Sequence, residues 1–165
     1  MSFQFSIEEI FELAEQIERN GAKFYGKAAG QVPDQNYKLL LLDLVNMEEK
    51  HERVFAYLKE KIVDQKLGQG LLDPDASAVQ YLRSFADGVV FDLNADPSEF
   101  LSTKRSLEEI LRYAIGLEKD SIVFYYGIQA LVPEELGKSQ INTIIREEMK
   151  HITFLNDKLK ALGKL

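Results

Sequence analysis

Apolar residues recur at helical spacing along four long segments of the chain. The segments cover about residues 6–29, 34–67, 106–131 and 134–162. The first and third open with the same capping-box pattern, Ser6 with Glu9 and Ser106 with Glu109. Because the connections inside each pair of segments are short, helices 1 and 2 should be antiparallel neighbours, and so should helices 3 and 4. The pattern therefore predicts two antiparallel helix pairs.

The connection between the two pairs, about residues 68–105, is too long for a hairpin turn and long enough to travel the length of a helix bundle. Asp73-Pro74-Asp75 is expected to start a short helix within it. Val79, Leu82 and Phe85 would share one side of that helix, and residues 92–98 are predicted to form a loop. The chain is thus expected to be all-α, a single-domain four-helix bundle over residues 1–165 with a long crossover between helices 2 and 3.

The two helix pairs are copies of one unit, offset by 100 residues. Ser6-Ile-Glu-Glu-Ile10 returns as Ser106-Leu-Glu-Glu-Ile110, and Val32-Pro33 returns as Val132-Pro133. Each copy carries one lone glutamate, Glu18 or Glu118, followed by one Glu-x-x-His: Glu48 with His51, or Glu148 with His151. These are the only two histidines of the chain. An internal two-fold repeat of this kind is what a two-metal site between four helices requires.

All four glutamates lie in apolar stripes, so they should face the core. The positions three, four and seven residues from Glu148, for example, are occupied by His151 and by the apolar Ile141, Ile144, Ile145, Ile152 and Leu155. Burying an unpaired carboxylate costs several kcal/mol, and a whole domain is stable by only about 5–15 kcal/mol. The stripes carry no Lys or Arg near these glutamates, so two divalent cations are the expected compensation.

A single Glu-x-x-His motif is most often a solvated face, but two copies that use every histidine favour metal binding. The predicted metal ligands are Glu18, Glu48, His51, Glu118, Glu148 and His151. Carboxylate and imidazole ligands without thiolate suit Fe(II) or Mn(II), and Zn(II) is a frequent substitute. The expected cofactor is therefore a pair of iron ions, with manganese or zinc as possible substitutes.

Four further positions near this site have two readings each. Tyr25 and Tyr125 lie seven residues after Glu18 and Glu118, where a phenol could be simple core packing or could hydrogen-bond a ligand carboxylate or a bound oxygen species. They are the candidate catalytic residues. Glu15 and Glu52 lie within one turn of the site and could be extra ligands or solvated charges. Glu49 and Glu147 fit the outward face of their helices better.

Composition excludes several other classes of function. The net charge of −7 argues against a nucleic-acid partner, which would call for a basic surface. The chain has no cysteine, which excludes a disulfide framework, thiolate metal sites and a thiol nucleophile. The sequence shows no signal-peptide pattern at its start and no apolar run long enough for a membrane span, so a cytoplasmic protein is expected.

The repeated motifs resemble those of rubrerythrin-type proteins within the ferritin-like di-iron carboxylate superfamily. The resemblance rests on Glu18 to Tyr25, Glu48-Glu-Lys-His51, Glu118 to Tyr125 and Glu148-Met-Lys-His151, and it extends from Ile7 to Leu162. It implies a ferritin-like bundle with a di-iron centre at the six predicted ligands. The chain departs from that family by having no cysteine-rich rubredoxin module, and Ile115 and Ser121 stand where rubrerythrins have an additional glutamate.

Three functions follow from a di-metal helical bundle. The leading hypothesis is an oxidoreductase that reduces peroxide or dioxygen with electrons from a separate small redox protein. The second is a ferroxidase that handles iron, as ferritins do, and the third is a non-catalytic scaffold stabilised by its metal pair. No more than a homodimer is expected. Fold alone does not separate these functions.

Overall fold

The computed structural model describes residues 6–64, 76–86, 92 and 95–163, and helices account for nearly all of these residues. The α-helices are α1 (Ile7–Gln31), α2 (Gln35–Asp64), α3 (Ala76–Ala86), α4 (Leu107–Leu131) and α5 (Lys138–Ala161), with 3₁₀ helices at Pro97–Ser102 and Glu134–Leu136. The described residues contain no β-strand, which confirms the all-α prediction. Every helix within these ranges is either too short or too polar to serve as a membrane span.

The two predicted helix pairs are present, and each begins with its capping box. The side chains of Ser6 and Ser106 accept hydrogen bonds from the backbone N–H of Glu9 and Glu109 at 3.1 and 3.2 Å. Each glutamate side chain accepts a hydrogen bond from the backbone N–H of its serine at 2.8 Å, so both hydrogen bonds of each capping box are present. Helix α1 packs mainly against α2, and α4 packs mainly against α5. The two helices of each pair pass through the apolar clusters of the interior in opposite order, so they are antiparallel.

Two apolar clusters occupy the bundle interior, one on either side of a polar layer. Along α1, Ile10 and Ala14 belong to the first cluster, whereas Phe24 and Ala28 belong to the second. The lone glutamate of that helix, Glu18, lies between them. The Glu and His positions of α2, α4 and α5 also separate residues of one cluster from residues of the other, with α2 and α4 running from the second cluster to the first. The candidate ligands thus form one layer across the middle of the bundle.

Several predicted boundaries are wrong at the connections. The fourth long helix does not begin at residue 134: Glu134–Leu136 is a 3₁₀ helix, and α5 starts only at Lys138. Gly137 separates the two with a φ of 122°, a conformation that interrupts a right-handed helix and suits glycine. Helix α1 continues through Gly30 to Gln31 rather than ending near residue 29.

The second half of the predicted loop at residues 92–98 begins a 3₁₀ helix instead. Asp96 is the N-cap of Pro97–Ser102, and its side chain accepts a hydrogen bond from the Ser98 N–H at 2.9 Å. This aspartate cap and the proline after it are a helix-start signal that the loop assignment overlooked. The predicted helix residues 65–67 and the predicted helix start at residues 73–75 lie outside the described residues.

The crossover carries the predicted short helix, α3, which packs on α4. Leu82 and Phe85 are buried and Val79 packs against the same cluster, as the spacing indicated. Gly127 allows this close approach, since a Cβ atom there would come within 2.6 Å of the Leu82 side chain. The later 3₁₀ helix, Pro97–Ser102, packs instead on α1, where Lys27 Nζ donates to the Ser98 carbonyl at 3.0 Å. The connection therefore passes from α4 to α1.

Candidate metal centre

The six predicted ligands meet in the polar layer, and all are buried. Helix α1 supplies Glu18, α2 supplies Glu48 and His51, α4 supplies Glu118, and α5 supplies Glu148 and His151. None of these residues is more than 4% exposed. The core-facing orientation inferred from the apolar stripes is therefore confirmed for all four glutamates.

The six side chains divide into two overlapping groups, each of which could hold a metal ion. One group is Glu18, Glu48, His51 and Glu148, and the other is Glu48, Glu118, Glu148 and His151. Within each group the candidate ligand atoms all lie within 4.8 Å of one another. Glu48 and Glu148 belong to both groups, so they stand where carboxylates could bridge two ions.

Glu148 lies between the two histidines and directs one oxygen at each. Its Oε1 is 2.8 Å from Nδ1 of His51, and its Oε2 is 2.7 Å from Nδ1 of His151. The two imidazole rings are stacked with centroids 5.9 Å apart. The same ring nitrogen, Nδ1, therefore faces the carboxylates in both halves of the repeat.

Several buried atoms of this cluster have no partner in hydrogen-bonding geometry among the described residues. They are Glu18 Oε2, Glu48 Oε1, both carboxylate oxygens of Glu148, His51 Nδ1, and both ring nitrogens of His151. Buried polar atoms are almost always hydrogen-bonded. No Lys or Arg among the described residues forms an ion pair with the four glutamates. Hard oxygen and imidazole donors that converge without a partner fit a pair of divalent metal ions.

Without metal, the cluster holds protons. Burial, and after it the repulsion of Glu148, raises the pKa of both Glu18 and Glu48. Burial opposes charge on the imidazoles, but contacts with Glu148 and Glu18 still raise the pKa of His51 to about 11. Contacts with Glu118 and Glu148 likewise raise the pKa of His151 to about 9. Both imidazoles are therefore protonated near neutral pH in the metal-free protein, and a metal ion must displace those protons.

The two tyrosines hydrogen-bond the lone glutamates across the repeat. The hydroxyl of Tyr25 donates to Glu118 Oε1, and the hydroxyl of Tyr125 donates to Glu18 Oε1. Burial and the neighbouring carboxylates raise the pKa of both phenols well above its ordinary value, so both remain protonated donors. The phenol-to-carboxylate hydrogen bond considered from the sequence is present, and each phenol donates to the lone glutamate of the other half of the repeat.

Tyr25→Phe should destabilise the protein by about 1–3 kcal/mol, because a buried carboxylate oxygen of Glu118 loses its donor. Denaturant unfolding of the metal-free protein would measure this. Tyr57→Phe is the matched control, since Tyr57 is 58% exposed and should change stability little. Equal stability of the two variants would show that the buried hydrogen bond contributes nothing.

Gly21 allows α1 to lie against Glu48. A Cβ atom on Gly21 would come within 2.7 Å of Glu48 Oε2, whereas one on Gly116 would have no neighbour within 4 Å. Gly21→Ala should therefore displace Glu48 and weaken metal binding at least tenfold. Gly116→Ala should leave binding unchanged and add about 0.5–1 kcal/mol of stability, since alanine is the better helix residue. Calorimetric titration with Mn(II) measures the metal affinity of each variant, and denaturant unfolding measures the stability of Gly116→Ala. Equal affinities of the two variants would contradict the assigned role of Gly21.

The sequence pattern predicts that Glu147 lies on the outward face of its helix, and this prediction is wrong. Its Oε2 lies 2.7 Å from Nε2 of buried His51, and its Oε1 lies 3.6 Å from Lys50 Nζ. The side chain is 22% exposed and reaches across the interface between α5 and α2. A break in the repeat could have pointed to it, because the position 100 residues earlier is Met47.

The other nearby glutamates do not join either group. Glu15 Oε1 lies 2.8 Å from Lys59 Nζ, and Glu52 Oε1 lies 2.7 Å from Arg19 Nη2. Glu49 is exposed, as expected. The structure therefore favours the second reading of Glu15 and Glu52, a charge that pairs with a neighbouring cation rather than an extra ligand, although the Glu15 side chain is only 13% exposed.

A cavity of about 210 Å³ opens between α1 and α4 and reaches the cluster. Its buried end is formed by Gly21, Tyr25, Glu48, Glu118 and Ser121. Its walls include pairs of equivalent repeat positions, such as Asn20 with Asp120 and Ile17 with Leu117. Ala95 and Pro97 of the crossover also line it. A molecule from solvent therefore has a path to two of the carboxylates.

Comparison with known proteins supports the fold. No protein-family model and no curated protein sequence matches the chain. The chain is similar to the crystal structure of a proposed ferritin-like diiron-carboxylate protein from Thermotoga maritima, with a TM-score of 0.69. The two share 23% sequence identity, and the match covers 92% of this chain and 93% of that chain. Identity at this level shows the fold alone, so we conclude that the chain has a ferritin-like helical-bundle fold.

Proposed function

We propose that this protein is a di-metal oxidoreductase of the rubrerythrin type, with iron as its metal. The observation that carries this proposal is the buried cluster itself: four carboxylates and two imidazoles form two overlapping four-residue groups. Most of the converging atoms have no hydrogen-bond partner among the described residues. The likeness to a proposed diiron-carboxylate protein, although it concerns the fold, is in keeping with this reading.

Each half of the repeat would hold one ion. Glu18 and His51 would be terminal ligands of one ion, Glu118 and His151 of the other, and Glu48 and Glu148 would bridge them. When bound, two ferrous ions would supply the two electrons that reduce a peroxide or dioxygen molecule. Their four positive charges would balance the four glutamates, which removes the cost of burying these carboxylates in the bundle.

The protein's own residues would supply the rest of the chemistry. Tyr25 and Tyr125 hold protons at hydroxyl oxygens that touch Glu118 and Glu18, so they would orient those carboxylates and are candidate proton donors. The apolar clusters on either side of the polar layer would limit entry of water. The cavity between α1 and α4 would admit a small oxidant. Electrons would come from a separate redox protein, and a homodimer is the assembly we propose.

Reaction of the reduced, iron-loaded protein with each oxidant tests this function. We expect hydrogen peroxide to oxidise it faster than dioxygen at equal concentration, because two ferrous ions that give one electron each are matched to a two-electron oxidant. Stopped-flow absorbance measures both rates, and Glu15→Ala is the control, since Glu15 pairs with Lys59 and should leave the rates unchanged. A faster reaction with dioxygen would favour the ferroxidase alternative. Absence of reaction with either oxidant would favour the structural-metal alternative.

A further inference from the structure

The two halves of the repeat differ at the outer nitrogen of the histidine. Nε2 of His51 donates to Glu147 at 2.7 Å, whereas Nε2 of His151 is buried without a partner among the described residues. Met47, the repeat counterpart of Glu147, has no side-chain charge. A carboxylate on the outer nitrogen fixes a metal-binding imidazole and makes it a stronger ligand, and losing such a partner typically costs 10–100-fold in metal affinity. The repeat thus supplies this support to one metal position only.

The cavity also distinguishes the two metal positions, and it too makes the second position the more weakly held one. It is lined by Glu118, the terminal carboxylate of the second group, and by the shared Glu48, but not by Glu18, Glu148 or either histidine. Its volume of about 210 Å³ is many times the roughly 10–15 Å³ that one water requires. That is enough space for a divalent cation that still carries much of its hydration shell. Of the two terminal carboxylates, Glu118 is therefore the one that a solute in the cavity reaches.

Asp120 gives the cavity wall a negative charge on the way to Glu118. It is partly buried and forms no hydrogen bond or ion pair with the described residues. Its repeat counterpart, which lines the same cavity from α1, is the neutral Asn20. An unpaired carboxylate beside the path would attract a cation, whereas Asn20 adds only neutral oxygen and nitrogen atoms.

We propose that the two metal positions are unequal. Glu147 stabilises binding of the ion held by Glu18 and His51, so this ion is retained. The cavity gives the ion held by Glu118 and His151 a route to solvent, so this ion exchanges. The exchanging partner is a divalent cation from solution. This inference rests on the proposed di-metal site but adds which ion leaves and by which route. It also assigns Glu147 as a positioning residue that acts through His51.

Calorimetric titration of the metal-free protein with Co(II) tests the affinities. We expect two binding steps that differ at least tenfold. Glu147→Met, which copies the residue of the other repeat, should weaken the tighter step at least tenfold and keep a stoichiometry of two. Met47→Glu should strengthen the weaker step, and Glu49→Met, an exposed change next to a ligand, is the control that should alter neither. Equal affinities in the wild type, or an unchanged tight step in Glu147→Met, would overturn the proposal.

Exchange kinetics test the route. Protein loaded with Co(II) and mixed with excess Zn(II) should lose one cobalt ion faster than the other, as followed by the visible absorbance of cobalt. Asp120→Asn should slow the faster phase at least threefold without changing the stoichiometry, and Asp43→Asn on the exposed face of α2 should not slow it. In Glu118→Ala the remaining ion should be the slowly exchanging one.

The two proposals fail in different ways. Binding of no ion would refute the di-metal site itself. Two ions that bind with equal affinity and exchange at the same rate would refute only the inequality of the positions. A rate that is equal in Asp120→Asn and wild type would refute the cavity as the route of exchange.

Discussion

Glu148→Ala is expected to leave the chain with less than one tightly bound metal ion, whereas Glu118→Ala should leave one. Glu148 belongs to both candidate groups and directs one oxygen towards each histidine, so both positions lose a ligand together. Glu118 belongs to one group only. Elemental analysis after iron loading and removal of free metal would give the stoichiometry of each variant against two ions in the wild type.

The control for this comparison is Glu49→Ala. Glu49 lies next to Glu48 in α2 but is exposed, so its loss removes the same charge without touching the cluster. Circular dichroism would check that every variant keeps its helical content. Two ions in Glu148→Ala would contradict the bridging role, and a uniform loss in all three variants would indicate nonspecific charge effects.

The second large effect concerns stability and pH: the stability of the metal-free protein should fall as pH rises, whereas the stabilisation added by metal should grow. In the metal-free protein, the raised pKa values of Glu18, Glu48, Glu148 and both histidines all act in the same direction. A group whose pKa is raised by folding contributes stability at low pH, and that contribution declines as pH rises from the unfolded value to the folded value. For His151 the decline covers pH 6.5 to about 9, and for His51 it continues to about 11.

The melting temperature of the metal-free protein should therefore fall between about pH 5 and pH 9. Metal ions need deprotonated ligands, so the stabilisation that they add should grow over the same range. Thermal melts with and without Zn(II) at each pH would measure both trends. Metal-free Glu148→Gln should show a shallower fall than wild type, and Glu49→Gln should match wild type. A melting temperature that stays level or rises with pH in the metal-free protein would contradict the clustered carboxylates.

The sequence was most informative where it repeats. Glu18 and Glu118 could be assigned to the core because each lies on an apolar stripe with helical spacing, and that periodicity depends on local geometry alone. The capping boxes at Ser6 and Ser106 marked two helix starts for the same reason. These features, taken with the short connections, were enough to predict two antiparallel pairs and a shared polar layer.

Features that depend on the reach of a side chain between helices could not be predicted in this way. Glu147 has a sequence position typical of an outward-facing residue, and only the packing of α5 against α2 brings it to His51. The phenol of Tyr25 could be paired with a carboxylate, but the choice of Glu118 rather than Glu18 depends on how α1 faces α4. Gly137 looked like any helix residue, although its positive φ moves the start of α5.

The assignment to the rubrerythrin type stays a proposal for a related reason. One fold can support several functions, and the oxidant, the electron donor and the native metal depend on reactivity rather than on helix packing. Ser121 and Ile115 stand where rubrerythrins carry an additional glutamate, and the structure does not bring Glu15 into either group to replace it. Glu147 does not replace that additional glutamate either, because it contacts His51 and not Glu118, the lone glutamate of α4.

Anomalous diffraction from crystals of the zinc-loaded or iron-loaded protein tests the central claim most directly. The account requires two metal peaks in the polar layer of each chain, one next to Glu18 and Nδ1 of His51 and the other next to Glu118 and Nδ1 of His151. Glu48 and Glu148 should lie between the peaks. A single peak, no peak in this layer, or metal bound only at surface carboxylates would contradict a di-metal centre.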